Sequence, residues 1–81
     1  MTISVQLFAQ ARELSGSARL EVELSAGATV AELKAALVKA RPALARIERS
    51  LLVAVNSQYA ADAVLLSATD EVACFPPVSG G

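Results

Sequence analysis

Only one stretch of this 81-residue chain, Thr29 to Arg41, carries the periodicity of a long helix, so every strand-like stretch has to share it as a packing partner. The start is predicted by Thr29-Val30-Ala31-Glu32, a capping box in which the threonine hydroxyl accepts from the amide of position 32 and Glu32 reaches back. Val30, Leu33, Leu37 and Ala40 then fall on one stripe, with Glu32, Ala35 and Lys39 opposite. Pro42 biases Arg41 away from helical angles and ends the helix there, with room for a short second turn from Pro42 to Ala45.

The remaining pattern is strand. Ile3, Val5 and Leu7 alternate with Ser4, Gln6 and Phe8, the period of a half-buried strand. Arg12-Glu13-Leu14-Ser15-Gly16 reads as a turn of helix ended by glycine. Arg19 to Leu24 alternates again, with the leucines and Val22 toward a core, and pairs with the first strand as a hairpin with a long loop. Leu51-Leu52-Val53-Ala54-Val55 is a continuous apolar run, predicted to be a buried strand closed by Asn56-Ser57. Val64-Leu65-Leu66 is a candidate short strand. Glu71 to Phe75 is the last strand, stopped by Pro76-Pro77, which have no amide for a ladder. The order is strand, strand, helix, strand, short strand, strand. One helix can cover one face of such a sheet, which makes an α+β two-layer domain.

Composition narrows the chemistry. There is no histidine and Cys74 is the only cysteine, which excludes a disulfide, a zinc cluster of Cys and His, and any His-dependent catalytic group. Seven basic residues against eight acidic ones give a net charge of −1. The basic residues Lys34, Lys39, Arg41, Arg46 and Arg49 are interrupted by Glu32 and Glu48 and have no aromatic among them, so a solvated face is expected rather than a nucleic-acid site. No export signal and no membrane-length apolar run is visible, and a cytoplasmic protein that is not an enzyme on its own is expected. Cys74 shares parity with Val72 and reads as a small core residue rather than a reactive thiol.

The domain is expected to span residues 1–77, and residues 78–81, Val78-Ser79-Gly80-Gly81, to form a flexible tail. From Pro76 onward, six residues reach about 20 Å when extended at ~3.4 Å each. A diglycine end has no side chain to block a narrow channel, tolerates any backbone angle, and carries an unhindered carboxylate. That carboxylate is a poor electrophile until it is activated, typically as an acyl-adenylate. A frayed terminus is the plain alternative.

The ending Asp70-Glu71-Val72-Ala73, then Phe75-Pro76-Pro77-Val78-Ser79-Gly80-Gly81, resembles that of the small, sulfur-carrier subunits of molybdopterin synthase. The opening Val5 to Leu14, the pairs Thr29-Val30 and Glu32-Leu33, and Ala54-Val55-Asn56 are similar to the same family. The chain departs from it at Thr69, where many relatives have glycine, and at Cys74, where many have a second aromatic. The resemblance implies a β-grasp, ubiquitin-like fold: a mixed sheet on one main helix, with the tail leaving the last strand. It implies that an E1-like enzyme adenylates Gly81 with ATP, next to Gly80, and that a sulfur donor protein converts the adenylate to a thiocarboxylate. The tail then enters the large synthase subunit of a heterotetrameric assembly, which holds the pterin precursor. ATP and pterin belong to the partners, so this chain is expected to bind no cofactor and no metal. A related carrier for thiamine or another acceptor, and a ubiquitin-like binding module that is never activated, are the other two classes.

Parity adds a docking surface. Phe8 falls on the first-strand face opposite Ile3, Val5 and Leu7, and Phe75 on the last-strand face opposite Val72 and Cys74. In a β-grasp these strands are parallel neighbours, so both rings are expected beside the start of the tail, as a partner-binding site continuing into Pro76, Pro77, Val78 and Ser79. A twisted strand end would instead tuck each ring into the core. Tyr59 is a further candidate for the patch, and Arg12 for an ion pair on its rim.

Overall fold

The structure, a computed structural model, describes residues 1–77. The elements run β1 (Thr2–Leu7), α1 (Ala9–Ser15), β2 (Arg19–Glu23), α2 (Val30–Ala40), two 3-10 turns (Pro42–Arg46 and Glu48–Ser50), β3 (Leu52–Val55), β4 (Gln58–Tyr59) and β5 (Val72–Phe75). The five strands form one sheet in the order β2-β1-β5-β3-β4. β1 and β5, near the two ends of the chain, lie parallel at its centre, and the other pairs are antiparallel.

The expected two-layer packing is present. Ile3, Val5 and Leu7 of β1, Leu20 and Val22 of β2, Val53 of β3, and Val72 and Cys74 of β5 turn to one side, where Val30, Leu33 and Leu37 of α2 cover them. Leu44, Ile47 and Leu51 close the end of this core. The start of α2 is fully hydrogen-bonded. The Thr29 hydroxyl accepts from the Glu32 amide at 3.3 Å, and the Glu32 carboxylate accepts from the Thr29 amide at 3.1 Å, as the capping box requires. The amides of Val30 and Ala31 donate to the carbonyls of Val64 and Asp62, both at 3.0 Å, so the first turn leaves none of these donors unpaired.

Those two bonds explain a correction. Val64-Leu65-Leu66 adds no strand; it makes one isolated bridge, Leu65 to Thr29, in which the Val64 carbonyl takes the Val30 amide and the Leu66 amide donates to the Ala28 carbonyl. The short strand is β4, whose two polar-side residues pair only because Asn56 and Ser57, at φ +51° and +69°, reverse the chain tightly. The loop between β1 and β2 is largely α1, ended by Gly16 at φ +76°, where the left-handed angle favours glycine. Ala40 is exposed, against its place on the predicted stripe: the last turn of α2 lies beside β2, an edge strand, where Lys39 and Ala40 line an open groove with Glu21 and Glu23. The apolar run of β3 is not buried on both faces; Val53 is buried while Leu52 is exposed on the uncovered side.

The turn at Thr69 needs no glycine. Thr69 stays outside the left-handed region, the Asp70 amide bonds the Ser67 carbonyl at 3.0 Å, and the Asp70 carboxylate accepts from the Ser67 amide at 2.8 Å. Two of the five basic residues named above are held by partners: Lys34 pairs with Asp62 at 2.9 Å, and Arg41 donates to the carbonyls of Ser15 and Ala40. No helix among the described residues is long and apolar enough to cross a membrane.

Candidate partner-docking site

One helical layer leaves the opposite face of the sheet open, and strand parity decides what stands on it. The parallel register sets Gln6 beside Ala73 and Leu7 beside Cys74, so the next residues, Phe8 and Phe75, arrive side by side. Their rings stack at 4.9 Å between centroids with 7° between planes. Tyr59 meets Phe75 edge-on, at 6.4 Å and 77°. Both arrangements suit the ring quadrupole. Across the antiparallel β3–β5 pair, Leu52 faces Phe75, and Ala54 faces both Ala73 and, on its other side, Tyr59. The result is an apolar platform at the end of the sheet from which Pro76 and Pro77 lead away.

The platform is held from behind. The Phe8 amide donates to the Cys74 carbonyl at 3.2 Å, while the Phe8 carbonyl accepts from the amides of Ala11 and Arg12 at 3.1 and 3.4 Å. Its backbone is therefore tied to β5 on one side and to α1 on the other. The turn between them passes through Ala9 at φ +51°, a conformation alanine rarely adopts, which marks a position the surrounding structure over-determines. At the other end of β5, the Asn56 side chain donates to the Asp70 carboxylate at 3.0 Å and accepts from the Glu71 amide at 2.9 Å, fixing the entry to the strand. A depression of about 490 Å³ lies over this face, lined by Phe8, Phe75 and Ala73 together with the polar residues Gln6, Arg19 and Glu71.

The structure thus brings Phe8, Phe75 and Tyr59 together, and Phe8 is 42% exposed and Tyr59 71% exposed. Phe75 and Pro76 are half-buried and Pro77 is exposed. Arg12 is exposed on α1, in a separate depression with Ala9, Glu13 and Gly16, and is not brought into the aromatic group. Val78, Ser79, Gly80 and Gly81 lie outside the described residues. Leu52 and Ala54 are members of the platform that the sequence reading missed. Their signal was available in parity with buried Val53, but a run apolar at every position hides which side is covered.

Cys74 is fully buried. Desolvation pushes its thiol up from 9.0 to about 12, with the charge of Lys34 opposing by less. We expect the folded chain to resist alkylation by iodoacetamide at about pH 8 and to react at the rate of a free cysteine once denatured. The linkage has a definite sign: the unfolded thiol ionises first, so stability is unaffected below 9.0 and falls as pH rises toward about 12. Urea midpoints across that range would check it. Among the described residues no group of three or more Cys, Asp or Glu side chains could hold a metal ion.

A mixed sheet gripping one long helix, with the first and last strands parallel at its centre, is the β-grasp, ubiquitin-like fold. The chain belongs to the ThiS family, whose sequence model matches residues 5–81. It is similar to the molybdopterin synthase sulfur carrier subunit of Chlamydomonas reinhardtii, with 39% identity over all of both chains. It is also similar to the subunit of the same name from Arabidopsis thaliana, with 37% identity over 98% of this chain and 82% of that one. Among solved structures, SAMP1 from Haloferax volcanii superposes with a TM-score of 0.88 at 37% identity, covering both chains completely.

Proposed function

We propose that this chain is the sulfur-carrier subunit of a molybdopterin synthase and that its working group is the carboxylate of Gly81. The observation that carries the reading is the family match, which extends through residue 81 and so includes the diglycine, together with full-length similarity to proteins of that name.

The chemistry runs in three steps. In an E1-like partner the Gly81 carboxylate attacks the α-phosphorus of ATP, expelling pyrophosphate and leaving an acyl-adenylate. Sulfide supplied by a sulfur donor, at the oxidation level of hydrogen sulfide, attacks the acyl carbon, AMP departs, and a thiocarboxylate remains. A thioacid is far more acidic than a thiol, so its sulfur is anionic and nucleophilic at neutral pH. Inside the large synthase subunit that sulfur attacks an electrophilic carbon of the pterin precursor and displaces an oxygen from it as water, and a second water then cleaves the acyl–sulfur bond, returning the carboxylate and leaving sulfur on the acceptor. The Phe8–Phe75–Tyr59 platform supplies the contact that holds either partner while the tail reaches the reacting centre. Aromatic anchors suit this task because they offer large apolar area with few rotatable bonds.

Incubating the full chain with an activating enzyme, ATP and a sulfide source should produce one oxygen-for-sulfur exchange in the intact mass. Persistence of the unexchanged mass with a competent activating enzyme would overturn the proposal. The similarity to a protein named as a modifier, the small archaeal modifier protein 1 of Haloferax volcanii, favours a second reading. In it the activated Gly81 carbonyl is joined to an amine of another protein with loss of AMP, and the same incubation with an acceptor protein in place of the sulfide source would return an amide-linked adduct.

A further inference from the structure

β2 is the outermost strand on one side of the sheet, and its register decides which of its backbone groups point outward. The Leu24 amide donates to the Met1 carbonyl and the Leu7 amide to the Ala18 carbonyl, both at 2.8 Å, in the same register that sets Ile3 opposite Val22 and Val5 opposite Leu20. In an antiparallel ladder every second residue turns both backbone groups toward its neighbour. Ala18, Leu20, Val22 and Leu24 therefore face β1, and the amides and carbonyls of Arg19, Glu21 and Glu23 face out of the sheet. Among the described residues no loop or helix backbone group bonds to them.

The charge along this edge changes sign. Arg19 stands at its start and Glu21 and Glu23 follow, all three exposed on the uncovered face. The Thr2 hydroxyl donates to the Glu23 carboxylate and holds it at the far end of the row. On the helix side a groove of about 290 Å³ runs beside the same edge, lined by Glu21, Val22 and Glu23 and, from α2, by Ala36, Lys39 and Ala40. Arg19 and Lys39 balance Glu21 and Glu23, so the edge as a whole favours neither an acidic nor a basic strand. What it matches is itself reversed: an antiparallel copy sets the basic start of one row against the acidic end of the other.

We propose that the β2 edge is a self-association surface, on which a second copy of this chain pairs antiparallel about Glu21. In that register Arg19 of each copy lies opposite Glu23 of the other, twice over by the two-fold symmetry. Opposite charges facing across a strand pair are stabilising. All three outward residues are matched, and each matched pair exchanges both backbone hydrogen bonds. The neighbouring registers do worse. Setting Arg19 opposite Glu21 brings Glu23 against Ser17, whose amide and carbonyl are already bonded to the Ser15 hydroxyl at 3.2 and 2.9 Å. The shift the other way sets Glu21 against Glu23 twice, like charge on like. Pairing about Glu21 carries one unfavourable contact, Glu21 against its own copy, and the long Arg19 side chain of the second copy reaches it on the diagonal. The pair joins two sheets into one, with both open faces on one side and both α2 helices on the other. There the small side chains of Ala36 and Ala40 line the seam. Because β1 lies between β2 and β5, Phe75 and Pro76 stay clear of the contact. The inference stands independently of the sulfur-carrier reading.

Sedimentation equilibrium of the full chain tests this, read beside amide NMR of the isotope-labelled protein. The weight-average mass should climb from 8.3 kDa toward twice that value as the concentration rises to about 1 mM, where a contact of this size is populated. Over the same range the amides of Arg19, Glu21 and Glu23 should shift and gain protection from exchange. Arg19→Glu makes the row wholly acidic, and Glu21→Arg with Glu23→Arg makes it wholly basic. Each variant alone should stay monomeric, and an equal mixture of the two should pair. Glu21→Gln, which removes the like-charge contact, should tighten self-association about fivefold. These side chains are all exposed, so the variants keep the fold. A wild-type chain monomeric throughout, shifts centred on Phe8 and Phe75, self-association retained by either charge variant, a mixture that stays monomeric, or weaker pairing of Glu21→Gln would each overturn the proposal.

Discussion

Removal of Gly81 is expected to abolish sulfur acceptance while leaving the circular dichroism spectrum unchanged. β5 ends at Phe75, and every core residue among the described ones precedes it, so the fold is expected to survive the truncation. Under the proposed function it removes the position from which the acyl-adenylate would be made. The shortened chain ends in Gly80, a carboxylate of the same kind placed one residue, about 3.4 Å, short, and a misplacement of even 1 Å can cost a hundredfold in an oriented reaction. The companion variant Cys74→Ala should accept sulfur at the wild-type level, because the thiol is buried and held in its neutral form. Intact-mass analysis of both variants separates the two sulfur-bearing candidates. Exchange that survived loss of Gly81 and vanished in folded Cys74→Ala would move the chemistry to the thiol.

Replacing the stacked rings should separate binding from folding. Phe75→Ala and Phe8→Ala should each weaken association with the partner by about 1–3 kcal/mol, the range of aromatic anchors. Folding stability should fall by less than about 1.5 kcal/mol for Phe8, whose ring is 42% exposed, against ~3–5 kcal/mol for a phenylalanine in a core. Phe75 is half-buried and touches both Phe8 and Tyr59, so its loss should be the larger of the two on both counts. Calorimetric binding and urea unfolding on the same variants would measure the two effects. A large loss of stability with unchanged affinity would show that the rings serve the fold alone.

The elements whose signals are local were legible without coordinates. The Thr29–Glu32 capping box is written in a three-residue spacing, and both hydrogen bonds form as that spacing requires. Val5 and Leu7 could be assigned to the core, and Phe8 to the open face, by alternation alone, because a strand has a period of two whatever it pairs with. Val64 to Leu66 misled because an apolar run states only that some of its residues are buried. Its Val64 carbonyl is taken by the Val30 amide at the start of α2, which no local pattern displays. β4 was invisible for the converse reason: Gln58 and Tyr59 have no strand signature, and they form one because a tight turn lays them against Val55 and Ala54.

The number of layers, the one long helix, the faces of β1 and β5, and the burial of Cys74 all follow from periodicity or from a residue's own chemistry. It took the packed fold to establish that Phe8 and Phe75 stack, that Leu52, Ala54 and Tyr59 complete their platform, that Ala40 emerges beside an open edge, and that Arg19, Glu21 and Glu23 turn their backbone outward. Those features depend on which strands are neighbours and in which register, and that choice is settled by contacts between residues as far apart in the chain as Leu7 and Cys74.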